Sequence, residues 1–151
     1  MLTFLNLEAE GFCSIESLHL QLNPTCTILI KAPNGKGKST ILSALVWAIY
    51  GKNLKGVSEV NTWKQVRPKD YKGTKVQVYF QKDSHTYKIV RCQKYDEVLE
   101  DGAKGKDRLI FMKDGDIVDI KGKGKIQDFI NREIGLSYTL FMNSIMFGQG
   151  I

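Results

Sequence analysis

The chain has 151 residues, 22 Lys and Arg against 16 Asp and Glu, a formal net charge of +6, and 42% hydrophobic residues. That is the size of one domain with enough apolar content for a core, which excludes a wholly disordered, collagen-like or disulfide-stapled chain. No apolar run reaches the roughly 20 residues that span a bilayer, the opening MLTFLNLEAEGF lacks the basic segment of a signal peptide, and Cys13, Cys26 and Cys92 share no metal-binding spacing, so a cytoplasmic protein with reduced thiols is expected.

The first thirty residues read as strands. Leu2, Phe4 and Leu7 carry an apolar run ending at Gly11, and Leu18, Leu20 and Leu22 alternate with polar neighbours. Asn23-Pro24 signals a turn, after which Cys26-Thr27-Ile28-Leu29-Ile30 has the near-continuous apolar character of a buried central strand. A helix is expected over Ser39–Tyr50, with Ile41, Leu42, Leu45, Val46, Ile49 and Tyr50 on one face and Ala44, Trp47 and Ala48 elsewhere, so it should be largely buried. Gly51 supplies its stop.

Residues 51–73 are mixed and basic. From 74 the alternation of Val76, Val78 and Phe80 predicts a strand, Lys82-Asp83-Ser84-His85 a hairpin connection, and Tyr87, Ile89 and Val90 the return. Residues 96–107 read as a polar loop. Leu109-Ile110-Phe111 and Ile117-Val118 flank Asp114-Gly115, a second hairpin signal. Ile126, Phe129, Ile130 and Ile134 recur at helical spacing up to Gly135, and a last helix is expected from Ser137, its N-cap, through Leu140, Phe141, Ser144 and Ile145. The chain thus divides into 1–52, a 74–120 antiparallel β region and a 121–151 helical segment.

The segment that carries chemistry is Ala32-Pro33-Asn34-Gly35-Lys36-Gly37-Lys38-Ser39-Thr40, a near match to the phosphate-binding P-loop G-x-x-x-x-G-K-[ST], with Ala32 in place of its first glycine. A strand must deliver the chain to a tight loop whose amides point at phosphate oxygens, and Gly35 and Gly37 allow that close approach. Asn34 through Thr40 form the candidate ATP site. Lys38 is expected on the β- and γ-phosphates and the Ser39 hydroxyl on Mg²⁺, and the following helix offers its free amides and positive end to the anion. A lysine-rich turn is the competing reading; a buried strand before and a buried helix after count against it.

About three strands precede this loop, the early ones antiparallel, which is the layout of ABC-type ATPase heads. The run Pro33–Thr40 followed by Ile41-Leu42-Ser43-Ala44-Leu45 resembles the SMC, RecF and SbcC group, and Leu7–Ile15 is similar to that group's first strand and turn. Ser137-Tyr138-Thr139-Leu140-Phe141 and Ser144-Ile145-Met146-Phe147-Gly148-Gln149-Gly150 resemble the Q-loop approach of SbcC-type proteins, the ATPase subunits of the double-strand-break repair nuclease. The resemblance implies an α/β fold, the N-terminal half of an ABC-type head with a central mixed sheet, an antiparallel β region and a small helical segment. It implies that Gln149 reaches Mg²⁺ and the attacking water. It also implies partners: the C-terminal half of the same head, a second head in a homodimer, an SbcD-type nuclease subunit and DNA, with no membrane. The compact head and Ala32 point to a phage or other divergent member, in a host cytoplasm.

Hydrolysis needs an acidic pair for Mg²⁺ and water. No apolar strand ending in Asp-Asp or Asp-Glu, no Ser-Gly-Gly signature and no heptads occur here. The resemblance assigns those parts to a C-terminal segment, so this chain is expected to be inactive alone. Lys121-Gly122-Lys123-Gly124-Lys125, with Lys104, Lys106, Arg108 and Lys113 nearby, is a candidate for tracking DNA phosphates as a flexible loop, or else a solvated face. His19 and His85 have no catalytic company. The alternative function is an SMC-like or RecF-like DNA clamp, in which ATP controls dimerisation and DNA holding without a nuclease.

Overall fold

The computed structural model describes residues 2–21 and 35–149, with side chains excepted at 35–39 and 144–149. The expected buried strand at 26–30, Ala32 and Asn34 lie outside the described residues.

Strand β1 (Leu2–Phe12) turns at Cys13-Ser14 into β2 (Ile15–Gln21). Helix α1 (Gly35–Tyr50) follows, then β3 (Thr74–Lys82), β4 (His85–Gln93), β5 (Tyr95–Val98), β6 (Lys104–Lys106), β7 (Leu109–Lys113) and β8 (Asp116–Ile117). Helices α2 (Lys123–Ile134) and α3 (Tyr138–Gln149) close the order. Six strands form one sheet in the order β2-β1-β3-β4-β7-β8. Every strand pairing among the described residues is antiparallel.

The expected alternation sets the layers. Leu7, Val76, Val78, Phe80, Ile89 and Phe111 are fully buried on one face of the sheet, with α1 over β1, β3 and β4 and α2 over β7. Aromatic rings stack across three strands, Phe80 on Tyr87 at 4.9 Å and Tyr87 on Phe111 at 5.5 Å, and Phe129 of α2 meets Phe111 edge-on at 5.7 Å. Such pairs add about 0.5–1.5 kcal/mol beyond area burial. In α1, Leu42 and all of 44–50 are buried, as its all-round apolar sequence requires.

Both hairpin turns have two consecutive residues at positive φ, Asp83 and Ser84 in one, Asp114 and Gly115 in the other. That geometry matches the right-handed twist of the flanking strands. The turns are joined: His85 Nδ1 lies 2.6 Å from Asp114 Oδ2, and the Thr86 amide donates to Asp114 Oδ1 at 2.9 Å. His85 therefore has a carboxylate partner that its isolated position in the sequence did not suggest.

Helix ends follow the sequence signals. Gly51 and Gly135 take left-handed conformations at φ 80° after α1 and α2, and Ser137 Oγ accepts from the Leu140 amide at 3.2 Å as the cap of α3. The sheet also closes two helices with cations. Lys82 of β3 donates to the Glu133 carbonyl of α2 at 2.6 Å, and Arg91 of β4 to the Ala48 carbonyl of α1 at 3.0 Å.

Three expectations are corrected. The 96–107 stretch is not a plain polar loop, because β5 and β6 pair there as a small second sheet. Tyr95 is its buried anchor, and Gly105 lets it lie down: a Cβ at 105 would stand 2.7 Å from the Tyr95 ring. This flap covers Val90 and Cys92 on the outer face of the main sheet. Second, the 121–125 run is not a flexible loop, since α2 begins at Lys123 and Ile126 donates to the Gly122 carbonyl at 3.0 Å. Third, α1 begins at Gly35, four residues before Ser39. The first turn of a helix makes few internal bonds through its amides, so the low helix propensity of two glycines is cheap there.

Candidate nucleotide site

The sequence-predicted site residues fall on two helices. Gly35, Lys36, Gly37, Lys38, Ser39 and Thr40 occupy the first two turns of α1, and Gln149 is the last residue of α3. The earliest amides of a helix have no carbonyl partner within it, so the amides at the glycine-rich start of α1 are the orphan donors that an anion needs. The first turn holds no acidic residue and contributes Lys36 and Lys38. The residue set fits a phosphate and, through the Ser39 hydroxyl, a hydrated Mg²⁺.

Helix α1 is seated by its buried flanks. Phe12 of β1 packs on Trp47 at 5.8 Å, and Tyr50 meets Phe141 of α3 edge-on at 5.5 Å. Helix α3 is tied to the end of α1 by two hydroxyls at its head: Tyr50 Oη donates to the Leu136 carbonyl at 2.7 Å, and Tyr138 Oη to the Asn53 carbonyl at 2.6 Å.

The β1–β2 turn is locked from outside. The Cys13 amide donates to the Val60 carbonyl at 2.8 Å, and Thr62 Oγ1 to the Cys13 carbonyl at 2.7 Å. Beneath them Asn61, 6% exposed, donates through Nδ2 to Tyr71 Oη, Thr74 Oγ1 and the Gln93 carbonyl at 2.8–3.0 Å. Beside this turn lies a cleft of about 560 Å³ that includes Ser14, Thr62 and Tyr71 and carries Glu10, Glu16 and Asp70. Those three carboxylates outnumber the cleft's one lysine, Lys72, and disfavour phosphate there. Burial, then Glu59, pushes the half-buried Cys13 thiol up, away from thiolate reactivity.

The basic stretch is largely engaged within the fold. Lys104 pairs with Asp96 at 2.9 Å, Arg108 with Asp101, Lys113 with Glu133 at 3.3 Å, and Lys123 donates to the Asp107 carbonyl at 2.7 Å. Lys106, Lys121 and Lys125 form no ion pair among the described residues, so they are the cations of that stretch left for an external phosphate. No group of three metal-ligating His, Cys, Asp or Glu occurs among the described residues.

Sequence reading missed Arg91. It is 5% exposed, and burial lowers its pKa to about 10. The signal was present: Arg91 stands two residues beyond Ile89 and four beyond Tyr87, a charged residue at a core-facing position of an alternating strand.

The AAA domain family (AAA_23) matches residues 6–151. The chain belongs to that family. This AAA domain is similar to the "Probable DNA double-strand break repair Rad50 ATPase" of Aquifex aeolicus, at 27% identity over 147 residues, covering 97% of this chain and 14% of that protein. It is similar to the DNA double-strand break repair Rad50 ATPase of Methanopyrus kandleri at 23% identity, covering 95% of this chain and 16% of that protein. Exonuclease subunit 2 of Escherichia phage RB69 is 27% identical over 133 residues, covering 87% of this chain and 21% of that protein. The chain thus spans about a fifth or less of these relatives. A solved structure of the recombination mediator protein RecF with ATP superposes with a TM-score of 0.51 at 16% identity, covering 83% of this chain and 30% of that one. The AAA domain accordingly has the fold of an ABC-type ATPase half-head.

Proposed function

We propose that this AAA domain is the ATP-binding half-head of the ATPase subunit of a DNA double-strand-break repair exonuclease. The observation that carries the reading is the glycine- and lysine-rich segment Asn34–Thr40 entering a buried helix at Gly35, in a chain matched along 6–151 by the AAA domain family.

In this reading the orphan amides at the start of α1 and the Lys38 ammonium hold the triphosphate, which sets its orientation before any bond is broken. Ser39 and Gln149 are the chain's own candidates for holding Mg²⁺, which would supply charge neutralisation at the β- and γ-oxygens. Gln149 also orients the attacking water. The acidic pair comes from the C-terminal half of the head, and ATP binding and hydrolysis drive head dimerisation and DNA processing with a nuclease subunit. The Rad50 and exonuclease relatives favour this over the clamp without a nuclease, which the RecF likeness supports at the level of fold.

The experiment is complementation. The 151-residue chain binds ATP and hydrolyses it at background, and turnover appears when the complementary half of the head is added. Robust hydrolysis by this chain alone contradicts the reading.

A further inference from the structure

The C-terminal end of α1 is closed by a buried cation. Gly51 serves one of its last carbonyls, its amide donating to the Trp47 carbonyl at 2.7 Å. Arg91 nevertheless reaches in from β4, donating Nε to the Ala48 carbonyl at 3.0 Å and Nη2 to the Ile49 carbonyl at 3.2 Å and to Gln127 Oε1 of α2. Gln127 returns Nε2 to the same Ile49 carbonyl at 2.8 Å and to Asn131 Oδ1 at 3.0 Å. The guanidinium meets no carboxylate among the described residues. Desolvating a cation without a counter-charge is a costly burial, and a neutral donor can serve these carbonyls, as Gln127 already serves that of Ile49. What the arrangement adds is a cross-link between α1, β4 and α2.

That cross-link sits on the path between the two candidate site elements. Helix α1 begins at the P-loop segment and α3 ends at Gln149. The end of α1 and the head of α3 are tied by Tyr50 to Leu136 and Tyr138 to Asn53. A helix of 16 residues is a stiff rod of about 24 Å, so a slip at its C-terminal end is delivered at its N-terminal end. Reacting groups must be held to within about 0.5 Å.

We propose that Arg91 is a positioning residue for hydrolysis: it sets the register of the P-loop helix against the α2–α3 unit that carries Gln149. The inference rests on the function proposed above. A planar guanidinium can meet three acceptors on two helices in one fixed geometry, and a lysine ammonium on a flexible stem cannot. Arg91→Lys therefore keeps the charge and loosens the register.

The test uses the complete protein as parent, Arg91→Lys, Gln149→Ala and the double variant, each assayed at a temperature where its melting curve gives a folded protein. ATP affinity is measured by calorimetry and kcat by phosphate release. The expected result is a fall in kcat of about tenfold for Arg91→Lys with ATP affinity within about threefold of the parent, and no further fall when Arg91→Lys is added to Gln149→Ala. Gln127→Ala, which removes the α2 side of the cross-link, moves kcat in the same direction and serves if Arg91→Lys does not fold. A lower Tm with kcat and affinity unchanged would make Arg91 a structural cap and overturn the inference. So would equal losses of kcat and affinity, or effects of Arg91→Lys and Gln149→Ala that multiply. A parent that binds ATP but is indifferent to Gln149→Ala also overturns it, leaving nucleotide binding standing; a parent that binds no ATP removes both.

Discussion

Replacing Asn61 by Ala and by Asp separates two parts of one interaction. The Asn61 amide nitrogen serves Thr74 Oγ1 at 2.8 Å, Tyr71 Oη at 2.9 Å and the Gln93 carbonyl at 3.0 Å, while its own Oδ1 is buried without a partner. The two hydrogens of that –NH2 are shared among three acceptors, so alanine removes two hydrogen bonds' worth, about 1 kcal/mol each, and also removes the orphaned acceptor, which returns about 1 kcal/mol, so the net loss is about 1 kcal/mol. For a chain of this length that lowers Tm by about 2–4 °C. Aspartate preserves the shape, yet it puts a carboxylate oxygen against the Gln93 carbonyl, which cannot donate, and buries a charge. The order of stability at pH 7 is therefore the parent above Asn61→Ala above Asn61→Asp. Calorimetric melting of the three proteins checks it, and an Asn61→Asp variant as stable as the parent would show that the Nδ2 contact to the Gln93 carbonyl contributes nothing.

Burial raises the Cys92 thiol to about 11, so at pH 8 an alkylating reagent should label Cys92 at a rate set by opening of the β5–β6 flap, far slower than in urea; equal rates by peptide mass spectrometry would contradict this. Arg108 and the Ala103 amide hold the Asp101 carboxyl at about 2, below its ordinary 3.8. The unfolded chain takes up that proton first on acidification, so the contribution is present above pH 3.8 and lost as pH falls toward 2. Asp101→Asn should flatten the acid limb of the stability curve in that window, and an unchanged limb argues against the pair. Of the 121–125 lysines, Lys123 is occupied by the Asp107 carbonyl, so only Lys121→Gln and Lys125→Gln are expected to reduce the salt slope of duplex DNA binding, by about 0.9 per lost contact. An unaltered slope assigns both to a solvated face.

Elements whose physics is local were legible in the sequence. Val76, Val78 and Phe80 alternate because one face of β3 is covered by α1, and Gly51, Gly135 and Ser137 mark helix ends because each supplies the one conformation or acceptor the end needs. In the segment 34–40 the residue types and spacing are those a phosphate site needs, which is the ground of the proposed nucleotide role. What escaped depends on distant partners. The pairing of β5 with β6 rests on Tyr95 and the bare Gly105 fitting together, in a stretch whose polar composition reads as loop. The role of Asn61 requires Tyr71, Thr74 and Gln93 to converge, and no periodicity announces that. Lys104, Arg108 and Lys113 read as a basic surface, although Asp96, Asp101 and Glu133 pair with them there.

The nucleotide site is tested most directly by ATP binding to this chain and to Lys38→Ala, titrated in a calorimeter with Mg²⁺ present. The ammonium of Lys38 is assigned charge-assisted bonds to phosphate of about 1.5–3 kcal/mol each, so losing one weakens binding by at least about tenfold. That loss is expected with the melting temperature of the nucleotide-free chain unchanged, as for a lysine assigned to the ligand. ATP bound equally well by Lys38→Ala would contradict the assignment of the nucleotide site to the start of α1.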